Sequence, residues 1–190
     1  MWQWLIEIDK SFFYFINSSL SNPFFDLILP PIRNSKNWIF LYLIIVFLAF
    51  KSKGLKYTTY IMLLAGFTIF LCDFIIANNL KHYFERLRPC NDESMNVHLL
   101  IERCGSGFSF VSAHACNHFA IAFIINNILH LRFKHTYFLV YIWAAIISFA
   151  QVYVGVHFPF DVICGGILGA TVGWFTTSIL SPIFIRKLNI

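Results

Sequence analysis

Two stretches of this chain, Tyr57–Leu80 and Phe158–Leu180, are mostly apolar, and each carries one charged side chain, Asp73 and Asp161 respectively. About 20 such residues are what a helix needs to cross ~30 Å of hydrocarbon. Three further runs, Trp38–Phe50, Phe108–Leu129 and Tyr137–Val156, have the same character. The first is short, so Lys36 and Lys51 must reach out from its ends toward headgroups. The composition of the 190 residues agrees: 58% are hydrophobic, 23 are Phe and only 12% are charged. A soluble domain carries roughly 25% charge. Mean hydropathy is +0.70. Disorder, coiled coil and nucleic-acid binding are excluded by the same figures, and the alternation of membrane barrel strands is absent. The predicted fold is an all-α integral membrane bundle of about five transmembrane helices.

Ahead of the bundle, Leu5, Ile8, Phe12, Phe15 and Ile16 recur at helical spacing with Glu7, Asp9, Lys10 and Ser11 between them. With Trp2 and Trp4 in front, this predicts an amphipathic helix lying on the bilayer. The acidic residues there leave no room for a signal peptide's apolar core. Pro30-Pro31 separates a second apolar piece, Phe24–Leu29, from the first span. The expected organisation is therefore an interfacial segment, 1–36, and a bundle, 37–190, with 81–110 as an external loop.

The basic residues do not fix orientation by count. Lys51, Lys53, Lys56, Arg132, Lys134, Arg186 and Lys187 fall on one side. Lys10, Arg33, Lys36, Lys81, Arg86, Arg88 and Arg103 fall on the other. The first set sits in very short connections, where the positive-inside rule works best. That places the C-terminus inside and the long connection outside, as in a bacterial inner membrane with its loop facing the periplasm. Cys90 and Cys104 lie in this loop; an oxidising compartment would join them in a disulfide, and otherwise they are two free thiols. His82 and His98 lack the spacing of zinc ligands, and no metal is expected.

Three polar clusters fall at the outer ends of the spans. Lys81 and Arg88-Pro89 close the second, Ser112-Ala113-His114 open the third, and His157 and Asp161 lie between the fourth and fifth. Ionisable groups at such depth are costly and mark function by default. Lys81 and Arg88 are two helical turns apart and share a face if the helix continues. An ammonium and a forked guanidinium together suit a phosphate. Gly105, Ser106, Gly107 and Ser109 lead into a helix start at Ser112–His114, an anion seat. His157 and Asp161 are one turn apart, so the carboxylate can orient the imidazole as a nucleophile while His114 supplies a proton. Asp73, Asn117 and His118 are read as structural or pocket-lining.

Taken together, Lys81-x6-Arg88-Pro89, Ser112-Ala113-His114 and His157-x3-Asp161 resemble the three-part signature of the type 2 phosphatidic acid phosphatase family, K-x6-RP, PSGH and SR-x5-H-x3-D. The resemblance spans about 57–175. It implies a metal-independent, cofactor-free membrane phosphatase acting through a phosphohistidine. His157 would attack phosphorus, Asp161 orient it and His114 protonate the leaving oxygen. Lys81, Arg88, Ser112, Ala113 and Gln151 would hold the phosphate. The implied partner is a lipid phosphate: undecaprenyl pyrophosphate, a lipid A phosphate, phosphatidylglycerol phosphate or phosphatidic acid. The chain departs from the pattern at Val111 for Pro, Ala113 for Gly, and Ala150-Gln151 for Ser-Arg. Losing that arginine costs on the order of a few kcal/mol of transition-state stabilisation, unless Arg86 or another cation replaces it. An impaired lipid-phosphate-binding scaffold of the same fold is the alternative.

Overall fold

The computed structural model describes residues 2–128 and 134–188, among which every regular element is helical. Helix α1 is Trp2–Tyr14 and passes into a wider π-helical turn, Phe15–Ser19. Helix α2 is Pro23–Arg33; Asn22 caps it through an Oδ1 that accepts from Phe25 N, and Pro23 takes the first turn, where a missing N–H costs nothing. Pro30 and Pro31 lie inside α2, which runs through them to Arg33.

The first two predicted spans fall within Ser35–Phe84, a helical stretch of 50 residues, and the fifth, from its second residue on, within Pro159–Ile183. These two are long and apolar enough to cross a membrane, where the sequence reading expects five spans. Helix α3, Ile39–Phe70, consists of two helical arms that meet at Gly54, whose φ of 79° and ψ of 178° leave the helical region, so the first two predicted spans are joined by a kink instead of a loop. Tyr42 and Val46 of one arm and Ile61 and Ala65 of the other line one cavity. A π-helical segment, Leu71–Ala77, and helix α4, Asn78–Phe84, complete this stretch. The third predicted span is shorter in the structure, helix α5 at Ala113–Ile128; the fourth is helix α6, Lys134–Tyr153, apolar from Phe138. Arg132 and the connection around it lie outside the described residues. Helix α7 is Pro159–Trp174, followed by a π-helical turn and helix α8, Ser181–Leu188. Phe40, Leu43, Phe47, Leu63, Phe74 and Ile167 all stand exposed, apolar surface of the kind a bilayer covers.

Helices α5 and α7 approach so closely that there is no room for side chains between them. A Cβ on Gly165 would stand 2.6 Å from the Ser112 carbonyl, one on Gly169 would strike the Cys116 carbonyl, and one on Gly173 would lie 2.9 Å from the Ala120 carbonyl. Both series step by four residues, so one glycine stripe runs along one backbone. Small residues bring membrane helices together in this way, through van der Waals contact that lipid cannot supply. The contact matters for function because it sets Ser112–His114 beside the start of α7.

The N-terminal segment packs against the same end of the bundle. Phe13 of α1 is fully buried against Phe158, with ring centroids 5.4 Å apart. Asn17 donates from Nδ2 to the carbonyls of His98 (2.8 Å) and Tyr153 (2.7 Å), and its Oδ1 accepts from His98 N (2.9 Å). Asp9, which the helical period assigns to the polar face of an interfacial helix, is fully buried. Among its exposed neighbours, beside Glu7 and Ser11, are the apolar Trp4, Phe12 and Phe15. The helix thus turns its one deep carboxylate inward and part of its apolar stripe outward.

The glycine contact makes a specific forecast. Gly169→Ala should cost about 1–3 kcal/mol through overpacking, read as a lower unfolding temperature in detergent. Gly66→Ala, where an added Cβ meets nothing within 4 Å, should leave that temperature unchanged or raise it. Equal melting of the two variants would contradict a close-packed α5–α7 seam.

Candidate active site

His157 owes its position to the way α6 ends. Gly155 adopts φ +89°, a conformation L side chains avoid. Its N–H donates to the Val152 carbonyl (3.0 Å), and Val156 N donates to the Gln151 carbonyl (3.2 Å). This pair of bonds closes a helix through a left-handed glycine. The chain then turns through His157 and Phe158 into α7, where Pro159 takes the first helical position. Asp161 falls in the first turn, and its Oδ2 accepts from Phe158 N at 2.9 Å. His157 Nδ1 lies 3.4 Å from the same Oδ2. Neither residue is open to solvent, at 1% and 0% exposure.

The other ring nitrogen faces a cation. Arg88 Nη1 stands 3.2 Å from His157 Nε2 and also donates to the Val156 carbonyl at 3.2 Å. A guanidinium can only donate, so Nε2 is the accepting, unprotonated nitrogen, and the ring proton sits on Nδ1 toward Asp161. Burial pushes the His157 pKa below its ordinary value; Arg88 and Lys81 push the same way, and Asp161 opposes them. The imidazole is therefore neutral, with its lone pair directed at Arg88.

Arg88 does not reach this place along a helix shared with Lys81. Helix α4 stops at Phe84, Glu85 takes a left-handed conformation (φ 46°), and Arg88 is extended at the start of a short turn, Pro89–Asn91. The condition for a shared face, a helix that continues to Arg88, is therefore not met. What holds Arg88 is the loop. Cys90 and Cys104 are joined in a disulfide, with Cα atoms 5.8 Å apart, which sets Gly105 against the guanidinium. A Cβ on Gly105 would stand 3.5 Å from Arg88 Cζ. Among the described residues, the buried Arg88 Nε has no partner.

Ser112 precedes α5. Its N–H donates to the Asp161 carbonyl (3.0 Å) and its Oγ accepts from Ala115 N (3.4 Å). The Ser112 amide is thus engaged, while Ala113 and His114 occupy the first helical positions, whose N–H groups lie outside a helix's own ladder. His114 lines two cavities. One, about 590 Å³, is polar and bounded by Arg33, Asn34, Glu102, Arg103 and Gly105. The other, about 580 Å³, lies among the apolar side chains of α3 and α5 and also touches Asp73, Asn117 and His118. His118 donates from Nδ1 to the His114 carbonyl at 2.7 Å, and Tyr42 OH lies 3.4 Å from its Nε2.

Arg86, a candidate in sequence for the missing third-motif cation, is committed elsewhere. It pairs with Asp161 Oδ1 (2.8 Å) and Asp9 Oδ2 (2.6 Å), and lies over the Phe158 ring at 3.9 Å. Asp9 Oδ1 accepts from Phe160 N at 2.9 Å. Gln151 is fully buried; its Oε1 accepts from Arg33 Nε at 3.2 Å, and its Nε2 has no partner. Sequence reasoning assigned no role to Asp9 or Arg33. The only signal for Arg33 was indirect, an arginine position filled by Gln151 that left a cation to be found.

The sequence profile of the PAP2 superfamily matches residues 54–184. The chain belongs to this superfamily. Among its relatives is the lipid A 4'-phosphatase of Bacteroides thetaiotaomicron, 28% identical over 92% of this chain and 77% of that protein. Another is phosphatidylglycerophosphatase B of Bacillus subtilis, 34% identical over 53% of this chain and 49% of that one. The crystal structure of Aquifex aeolicus LpxE superposes with a TM-score of 0.69 at 24% identity, covering 89% of this chain and 94% of that one. That likeness shows that the two chains share one fold.

The Asp9–Arg86–Asp161 chain is the site's most vulnerable structural feature. Arg86→Met leaves two buried carboxylates unpaired and should cost about 3–5 kcal/mol, measured as a lower melting temperature in detergent. Adding Asp9→Leu to that variant should recover part of the loss. No recovery would mean the three groups do not act as one ionic chain.

Proposed function

We propose that His157 is the nucleophile of a metal-independent lipid phosphatase, with Asp161 orienting it, His114 as general acid and base, and Lys81 and Arg88 holding the phosphoryl oxygens. The observation that carries this reading is the 3.2 Å approach of Arg88 Nη1 to His157 Nε2. A cation at the lone pair of a neutral, carboxylate-oriented imidazole marks where a phosphoryl oxygen would sit as phosphorus meets nitrogen. Phosphoryl transfer demands positioning and charge stabilisation above all, and these residues supply both.

In the first step the His157 Nε2–P bond forms and the P–O bond to the lipid breaks; the departing oxygen takes a proton from His114. In the second, His114 takes a proton from water, the hydroxide attacks phosphorus, and the N–P bond breaks to release phosphate. Asp161 stabilises the positive charge on the ring between the steps.

The substrate is a lipid phosphomonoester or pyrophosphate. His114 stands between a polar cavity and an apolar one, which suits a molecule with a polar headgroup and acyl chains. A lipid A 4'-phosphate is the first substrate to assay, since the Bacteroides relative named for it matches most of this chain. The remaining assignments are parts of the same proposal: about five spans, the loop 81–110 outside, and the site opening to the periplasmic leaflet of a bacterial inner membrane.

The test is phosphate release from lipid A, phosphatidylglycerol phosphate and phosphatidic acid in detergent with EDTA present. Wild type should turn over at least one of them, and His157→Ala should reduce the rate by at least ~10³-fold, with acid-labile phosphate trapped on wild type alone. Retained turnover in His157→Ala would remove His157 from the nucleophile's role. A second expectation concerns pH. Because the reactive form is neutral and burial holds the His157 pKa below its ordinary value of 6.5, the acidic limb of kcat/KM should lie below pH 6.5, after correction for the substrate's own titration. A limb centred above that value would show a histidine stabilised in its charged form.

A further inference from the structure

Arg33, Lys81, Arg86 and Arg88 lie at the site end, with Arg103 and Glu102 lining the same polar cavity as Arg33, and they differ in their partners. Arg86 has two carboxylates. Among the described residues, no carboxylate lies within ion-pair distance of Lys81, Arg88 or Arg33. Arg33 is half-buried at the last turn of α2, where a basic side chain ordinarily turns back to the free carbonyls of its own helix. Its Nε goes instead to Gln151 Oε1 on α6. A guanidinium has five N–H donors in a rigid fork, and this bond fixes the plane of the fork while using one of them. Arg33 lines the same polar cavity as Gly105 and His114, and its pKa is lowered first by burial and then by the charge of Arg88.

Among the described residues, the buried donors Gln151 Nε2 and Arg88 Nε also have no partners. An unsatisfied buried donor costs about 1–3 kcal/mol, and like charges brought together without counter-ions add to that cost. An arrangement of this kind is stabilised by an anion that accepts from several of these donors at once.

Resting on the lipid phosphatase reading above, we propose that Arg33 is a phosphate-binding residue of this enzyme, with Gln151 as its bracket and a further donor. The guanidinium thus enters from α2 across the helix interface, and the cation is relocated instead of lost. Because α2 supplies it, the N-terminal segment contributes directly to the substrate site.

The test compares Arg33→Met, Arg33→Lys, Arg33→Gln and the exchange Arg33→Gln/Gln151→Arg in detergent. Each is assayed for lipid phosphate hydrolysis and for binding of inorganic phosphate by titration calorimetry. Arg33→Met should lower kcat/KM by ~10²-fold or more and weaken phosphate binding by ~10-fold or more. Arg33→Lys should recover part of both, and the exchange variant should exceed Arg33→Gln in both. Phosphate affinity unchanged in Arg33→Met, or an exchange variant no better than Arg33→Gln, would overturn the proposal and leave Arg33 as a packing contact between α2 and α6. Variant melting temperatures within a few degrees of wild type separate a lost contact to phosphate from a lost fold. The titration needs no turnover, so failure of the wild type to hydrolyse any lipid would refute the phosphatase reading alone, while the titration still decides the role of Arg33.

Discussion

A carboxylate with no access to water organises this end of the molecule. Asp161 is fully buried, and an ionised group in that position must be surrounded by donors or it unfolds what holds it. The donors come from two parts of the chain. The imidazole of His157 and Phe158 N come from the turn between α6 and α7, and Arg86 from the long loop. The Asp161 carbonyl in turn accepts from Ser112 at the head of α5. Arg86 carries the constraint outward to Asp9, and so draws α1 onto the bundle. The loop cannot swing away from His157 without exposing a charged chain that runs from α1 to α7.

The opposite side of His157 shows the reverse electrostatics. There, among the described residues, Lys81, Arg88 and Arg33 have no carboxylate within ion-pair distance, and the buried Gln151 Nε2 and Arg88 Nε have no hydrogen-bond partner. The imidazole separates a saturated anionic side from an unsaturated cationic one. That polarity orients the ring proton toward Asp161 and leaves the lone pair on the side where a phosphate would be held. A site arranged in this way has its dipoles placed before substrate arrives, so little reorganisation accompanies the reaction.

The parts of this arrangement visible in sequence are those set by covalent spacing. His157 and Asp161 are one turn apart, and Ser112-Ala113-His114 sits where glycines and serines give way to an apolar run. The bundle's helical character was equally plain from hydropathy. What sequence concealed depended on distant partners or on a single dihedral. Lys81 and Arg88 look like one helical face until Glu85 turns left-handed. The spans on either side of Gly54 read as separated by a loop, and a single non-helical dihedral joins the two helices at a kink instead. Asp9 reads as a solvent-facing residue because its amphipathic period is local, while its partners, Arg86 and Phe160, lie 77 and 151 positions away.

Arg33 and Arg86 show why residue type alone could not assign the site. Either one is a plausible replacement for a guanidinium that the third motif lacks. The choice follows from what each side chain already touches. Two carboxylates neutralise Arg86 and aim it at Asp161, so a phosphate could recruit it only by breaking a buried ion pair. An amide holds Arg33 by one nitrogen, and among the described residues no carboxylate stands within ion-pair distance of it. An arginine at position 151 and a glutamine there that brackets Arg33 place the same charge near the phosphate, but they differ in what must be ordered. The first needs α6 alone. The second also needs α2 fixed against α6, which the hydrogen bond from the Tyr153 hydroxyl to Asp26 (2.6 Å) and that from Asn22 N to the same hydroxyl (3.1 Å) provide. The glutamine thus makes an N-terminal helix that could have served only as a membrane anchor into a working wall of the site.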